Sequence, residues 1–139
     1  MPIAYLTRRE RFSAAHRLFK PDLNDDENKE IYGQCSHPNW HGHNYELFVT
    51  IKGEVNPETG YVLNLKGLGN LIKETVISKI DHRNLNLDVD FMHGIVTSTE
   101  NLSIAIWNVL DKPIRNLGAR LHRIRIQETE NNFVDYYGE

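Results

Sequence analysis

Alternation of apolar and polar positions predicts strands at both ends of the chain and helices between them. Phe12, Ala14, His16 and Leu18 share one parity, and Arg11, Ser13, Ala15 and Arg17 share the other. That is a strand with one buried face, and the buried face carries a histidine. Tyr45, Leu47, Val49 and Ile51 alternate with Glu46, Phe48, Thr50 and Lys52, which predicts a second strand. The polar, acidic segment between them, Lys20 to Gln34, reads as a surface loop with a short helical turn. Asn56 to Gly60 is a turn cluster.

From Leu65 onward the spacing becomes helical: Leu68, Leu71, Ile72, Thr75, Val76 and Ile80. A second helix starts near Thr97, where Thr97 and Glu100 fit a capping box. Its apolar stripe is Leu102, Ala105, Ile106, Val109 and Leu110, and Pro113 and Gly118 lie in its exit. Arg120 to Glu128 predicts a third strand, with His122, Ile124, Ile126 and Glu128 on one parity. A fourth follows a turn at Asn131-Asn132. The order ββααββ implies an α+β class: a four-stranded antiparallel sheet with two helices on one face. So small an open sheet has exposed edges, which favours association of subunits.

At 139 residues the chain suits one domain, 1–139. The net charge of −3 comes without a basic stripe, so nucleic acid is not an expected partner. No apolar run is long enough to span a membrane. The opening MPIAYLTRRERF has no apolar core of a signal peptide. The single cysteine excludes an internal disulfide and fits a reducing compartment, so a cytoplasmic location is expected.

The chemistry concentrates in CSHPNWHGHNY, Cys35 to Tyr45. His41 and His43 are two apart, so in an extended chain both imidazoles face one way. His16 is the best third candidate for a shared metal ion. Three neutral histidines leave zinc its charge and one open position. The plainer alternative is that these are hydrogen-bonded strand histidines. His37 and His122 read as ordinary polar positions. Cys35 is either a small buried filler or, near a cation, a thiolate able to act as general base. Asp81-His82 closes the first helix. There a carboxylate can orient an imidazole, although neighbouring side chains on a helix point apart. A histidine placed for the helix dipole explains the pair equally well. Glu128 continues an inward parity, where a carboxylate needs a partner such as two adjacent N–H donors.

Taken in order, FSAAHRL, CSHPNWHGHNY, IDHRNLN, STEN and QETENNFVDYYGE resemble the 6-pyruvoyl-tetrahydropterin synthase family over nearly the whole chain. The resemblance implies the T-fold, with subunit sheets closing into a barrel in a homo-hexamer made of two trimers. It implies zinc on His16, His41 and His43, and a catalytic Cys35. It also implies an Asp81-His82 pair that completes a triad from a neighbouring subunit. Glu128 would anchor the pterin ring, and Thr99 and Glu100 would line its pocket. The implied reaction eliminates triphosphate from 7,8-dihydroneopterin triphosphate, with Mg2+ accompanying the triphosphate. Trp40, where animal-type members commonly have glycine, and His37 depart from the family pattern. The five residues between Cys35 and His41 favour the pyruvoyl-forming branch. The alternatives are the carboxy-tetrahydropterin synthase reaction on the same substrate, or a non-catalytic zinc protein in which Cys35 closes the coordination shell. Arg17, next to His16, is a phosphate-contact candidate whose parity points to the opposite face.

Overall fold

The computed structural model describes residues 1–139. Its centre is a long antiparallel ladder between β1 (Ile3–His16) and β2 (His41–Glu54). The register runs from Ile3 opposite Glu54 to His16 opposite His41. Phe12, Ala14 and His16 therefore share a face with His41, His43, Tyr45, Leu47, Val49 and Ile51. That face is the alternation the sequence predicts.

The loop after β1 contains a full helix, α1 (Asp25–Tyr32), rather than a short turn. Asn24 and Glu27 cap it reciprocally through each other's backbone N–H. A single helical turn, Gly33–Ser36, then carries Cys35.

The first predicted helix is a composite rod: α2 (Leu65–Ile72), a π-helical segment (Lys73–Ile77) and α3 (Ser78–Ile80). Its fully buried residues are Leu68, Ile72, Val76 and Ile80. A strict four-residue spacing drifts about 40° per step on an α-helix. The wider π turn takes up part of that drift and keeps the stripe on the core.

The sheet has five strands rather than the four expected. After α3 the chain runs along the free edge of β1 as β3 (Arg83–Asn84), pairing in parallel with Ala14 and Ala15. Unpaired groups on that edge hold it there: Ser13 O accepts from His82 N at 2.6 Å, and Ala15 O accepts from Leu85 N at 2.8 Å. Helix α4 (Thr99–Asn116) follows, then β4 (Arg120–Gln127) and β5 (Phe133–Tyr136), giving the order β3-β1-β2-β4-β5.

Three local expectations are corrected. Ser98, not Thr97, caps α4 by accepting from Asn101 N, and the Thr97 hydroxyl donates instead to Asn86 Oδ1. Pro113 lies inside α4, and the turn out of the helix falls at Gly118, φ +96°. A bulge in β4 places Leu121 opposite Ile51 and Arg123 opposite Thr50. Parity is broken there, so His122 leaves the core face and meets Tyr5 and Tyr137 edge-on.

Buried residues of α2, the π-helical segment, α3 and α4 join the inward face of β1, β2 and β4 in one apolar cluster. Ile106 on α4 is completely enclosed. Ile106→Ala is expected to cost about 2–5 kcal/mol in urea unfolding, and a loss below 1 kcal/mol would contradict this packing. No helix is long and apolar enough to cross a membrane.

Candidate active site

The ladder register brings the three histidines together. His16 and His41 are direct cross-strand partners, and His43 lies one step further along the same face. Their ring centres are 4.5 Å (His16–His41), 4.9 Å (His41–His43) and 5.1 Å (His16–His43) apart. One nitrogen from each lies within 4.8 Å of the others.

His16 is 1% exposed. Its Nδ1–H donates to the Thr97 carbonyl at 2.7 Å. That bond fixes the tautomer and turns a bare Nε2 into the cluster, the usual way a backbone carbonyl orients a metal-binding imidazole. Both ring nitrogens of His41 are buried without a hydrogen-bond partner, and Nε2 of His43 makes no aligned hydrogen bond although Glu128 lies within reach. Burial, helped by the neighbouring imidazoles, pushes His16 and His41 below the ordinary histidine range and holds them neutral. Neutral imidazoles with orphaned, convergent lone pairs fit a cation that prefers nitrogen.

Glu128, just beyond β4, reaches the same point. Its Oε1 is 3.1 Å from His43 Nε2 and 3.7 Å from His16 Nε2. The Tyr45 hydroxyl lies 3.5 Å from His16 Nε2, and burial raises its pKa above the ordinary range.

Cys35, half-buried, opens onto a cavity of about 810 Å³ whose wall includes Trp40, His41 and His43. It is not a member of the three-histidine group. The thiol and the His41 and His43 imidazoles therefore face one space without the sulfur taking a ligand position. Trp40, the residue that departs from the family pattern, holds φ +67°, a conformation glycine adopts more freely.

Asp81 and His82 lie elsewhere, at the β3 edge. They are past the end of α3, with extended backbone at Asp81 and φ +60° at His82, so the rule for neighbours on a helix does not apply. Asp81 Oδ1 takes the Ser13 N–H at 2.9 Å and sits 3.0 Å from His82 Nδ1. The imidazole is 83% exposed. It lines a second depression with Ser13, Asn44 and Arg83, which shares His43 with the Cys35 cavity but does not include Cys35. Within one chain the structure does not bring the pair to the thiol. Thr99 is buried at the start of α4 with an unpartnered Oγ1, and Glu100 is exposed.

A family model described as 6-pyruvoyl tetrahydropterin synthase matches residues 5–139. The chain belongs to the 6-pyruvoyl tetrahydropterin synthase family. It is 51% identical over 134 residues to the 6-pyruvoyl tetrahydrobiopterin synthase of Dictyostelium discoideum, covering 96% of each chain. To that of Homo sapiens it is 43% identical over 136 residues, covering 98% of this chain and 92% of the other. The structure of Caenorhabditis elegans 6-pyruvoyl tetrahydropterin synthase matches it with a TM-score of 0.92 at 40% identity, covering 100% of this chain and 98% of that one.

For this family member, two site residues have no signal in the sequence. Thr97 acts through its main-chain carbonyl, which any residue supplies. Asn86 fastens the end of β1 from a distant loop. Tyr45 was visible as an inward strand residue, but its hydroxyl's approach to His16 depends on the ladder register.

The neutral histidines set a pH dependence. His16 and His41 are held below their unfolded value of 6.5, so below that pH the unfolded chain binds more protons. Metal-free protein is expected to keep full stability above about pH 6.5 and lose it progressively toward pH 5. Chemical denaturation midpoints that stay flat from pH 7 to 5 would contradict neutral His16 and His41.

Proposed function

We propose that the chain is a 6-pyruvoyl-tetrahydropterin synthase. It converts 7,8-dihydroneopterin triphosphate to 6-pyruvoyl-tetrahydropterin and triphosphate, a lyase reaction with internal redox rearrangement. The observation that carries the reading is the convergence of His16, His41 and His43, with both His41 nitrogens unpartnered and with His41 and His43 lining the same cavity as a thiol outside the group.

His16, His41 and His43 hold Zn2+, which when bound supplies Lewis-acid polarisation of the substrate's side-chain hydroxyls. Cys35, as thiolate, removes a carbon-bound proton of that side chain. The Glu128 carboxylate accepts from the pterin amino group and ring N–H, fixing the ring so that the side chain reaches the thiol. Thr99 offers its free hydroxyl to the pocket, and Glu100 lines its rim. Mg2+ accompanies the triphosphate, and no residue is assigned to it.

Asp81 and His82 hold and relay protons for Cys35 of a neighbouring subunit. This reading rests on the exposure of His82 and its separation from the thiol within one chain. It implies a homo-hexamer, a dimer of trimers whose sheets close into a barrel and pair the free edges. The protein works in the cytoplasm as one domain.

Elemental analysis of protein purified without chelator is expected to find one zinc per chain. X-ray absorption should show nitrogen and oxygen ligands without sulfur. Chelation should abolish triphosphate release, and zinc should restore it. A sulfur ligand would mean a structural site closed by Cys35. Undiminished turnover without zinc would remove the metal from the reaction.

A further inference from the structure

The geometry points to Arg17 as a positioning residue that fixes the Cys35 turn relative to His16. Arg17 directly follows the buried histidine at the end of β1. Its main chain is fastened at both polar groups by one side chain: Arg17 N–H donates to Asn86 Oδ1 at 3.0 Å, and Asn86 Nδ2 donates to Arg17 O at 2.9 Å. The Thr97 hydroxyl donates to the same Asn86 oxygen at 2.9 Å, and the Thr97 carbonyl receives His16 Nδ1–H. The backbone of Arg17 is thus locked to the group that orients the His16 ring.

The side chain of Arg17 reaches the other way. Nε donates to the Ser36 carbonyl at 2.7 Å, and Nη2 donates to Asp25 Oδ1 at 3.0 Å. The guanidinium lies 4.2 Å from the centre of the Phe19 ring, and Phe19 in turn meets Trp40 edge-on. Leu18 N–H donates to the Cys35 carbonyl at 2.8 Å. Two consecutive residues therefore hold the carbonyls of Cys35 and Ser36, one by its backbone and one by its side chain. The Arg17 side chain is 13% exposed, whereas Asp25 is 77% exposed. The buried end of the fork, on Ser36, is the one shielded from water and carries the positioning. These bonds engage Nε and Nη2 of the guanidinium within the chain.

The Arg17 side chain contacts Ser36, Asp25 and Phe19 rather than the thiol or the histidine group. It acts by holding a flexible turn at the distance the reaction needs, where small displacements lower rate more than affinity. The proposal rests on the reading of Cys35 as the catalytic thiol. Because Cys35 is the only cysteine, its alkylation reports the turn's placement independently of turnover.

The test compares zinc-loaded full-length wild type with Arg17→Met and Arg17→Lys. Measurements are kcat and KM on 7,8-dihydroneopterin triphosphate, zinc content, and the rate of Cys35 alkylation by iodoacetamide. For Arg17→Met the expected result is zinc content unchanged, KM within about threefold, kcat lower by about 10²-fold, and alkylation changed at least about fivefold. Arg17→Lys retains one donor without the planar fork and should fall between the two. Arg17→Met with kcat and alkylation both within about twofold of wild type would overturn the proposal. If Arg17→Met does not fold, Arg17→Lys decides: lowered kcat at unchanged KM and zinc supports it, and wild-type kcat overturns it. If wild-type protein forms no pyruvoyl product, the functional reading falls. Alkylation alone then decides the clamp, a changed rate supporting it and an unchanged rate overturning it.

Discussion

Cys35→Ala is expected to lower kcat by about 10²- to 10⁴-fold, the range general acid–base groups contribute, with zinc content and thermal midpoint little changed. The thiol faces the cavity that His41 and His43 line, yet stands outside the group whose nitrogens converge. It is half-buried in a single helical turn held through main-chain carbonyls. Removing its sulfur breaks none of those bonds, so the turn should stay in place. The check is steady-state kinetics alongside metal analysis and circular dichroism. Activity within tenfold of wild type would end the proton-abstraction role. Loss of zinc together with activity would make the sulfur a ligand.

Mixing two inactive variants should restore activity, which is the second large effect. In one chain, His82 opens onto a depression that does not include Cys35, and Asp81 beside it lines another without Cys35, so a triad needs another copy. Combine Cys35→Ala with His82→Asn under conditions that let subunits exchange. Asparagine suits position 82 because His82 holds φ +60°, which asparagine tolerates better than alanine. If each site takes its thiol from one chain and its imidazole from a neighbour, random mixing rebuilds about a quarter of the sites. Mass spectrometry of exchanged oligomers verifies mixing. Confirmed exchange without recovered activity would place the whole site within one subunit.

How much of this was legible beforehand follows from which features are local. The β1 and β2 parities place His16, His41, His43 and Tyr45 on one face because side-chain direction in a strand needs no tertiary information. Their meeting requires the register that sets His16 opposite His41, and the sequence alone does not state it. At the start of α4, Thr97 and Ser98 are equally good capping residues. The choice fell to Ser98 because Asn86 engages the Thr97 hydroxyl from another part of the chain. The bulge that turns His122 outward is hidden for the same kind of reason, since parity along β4 is uniform only while pairing with β2 is regular. Strand β3 is two residues long and exists because the edge of β1 has free backbone groups, not because Arg83-Asn84 favours a strand. Asp81-His82 shows the reverse: the pair was visible, but its geometry depends on α3 ending at Ile80.

Identification of the product decides whether the chain forms the pyruvoyl pterin. Zinc-loaded wild-type protein is incubated with 7,8-dihydroneopterin triphosphate and Mg2+ under anaerobic conditions, and the pterins are resolved by mass spectrometry. The expected product is 6-pyruvoyl-tetrahydropterin, with its three-carbon side chain intact and one triphosphate released per pterin, and none after chelation. A one-carbon carboxyl side chain would assign the chain to the carboxy-forming reaction, and unconsumed substrate would contradict the enzyme reading altogether.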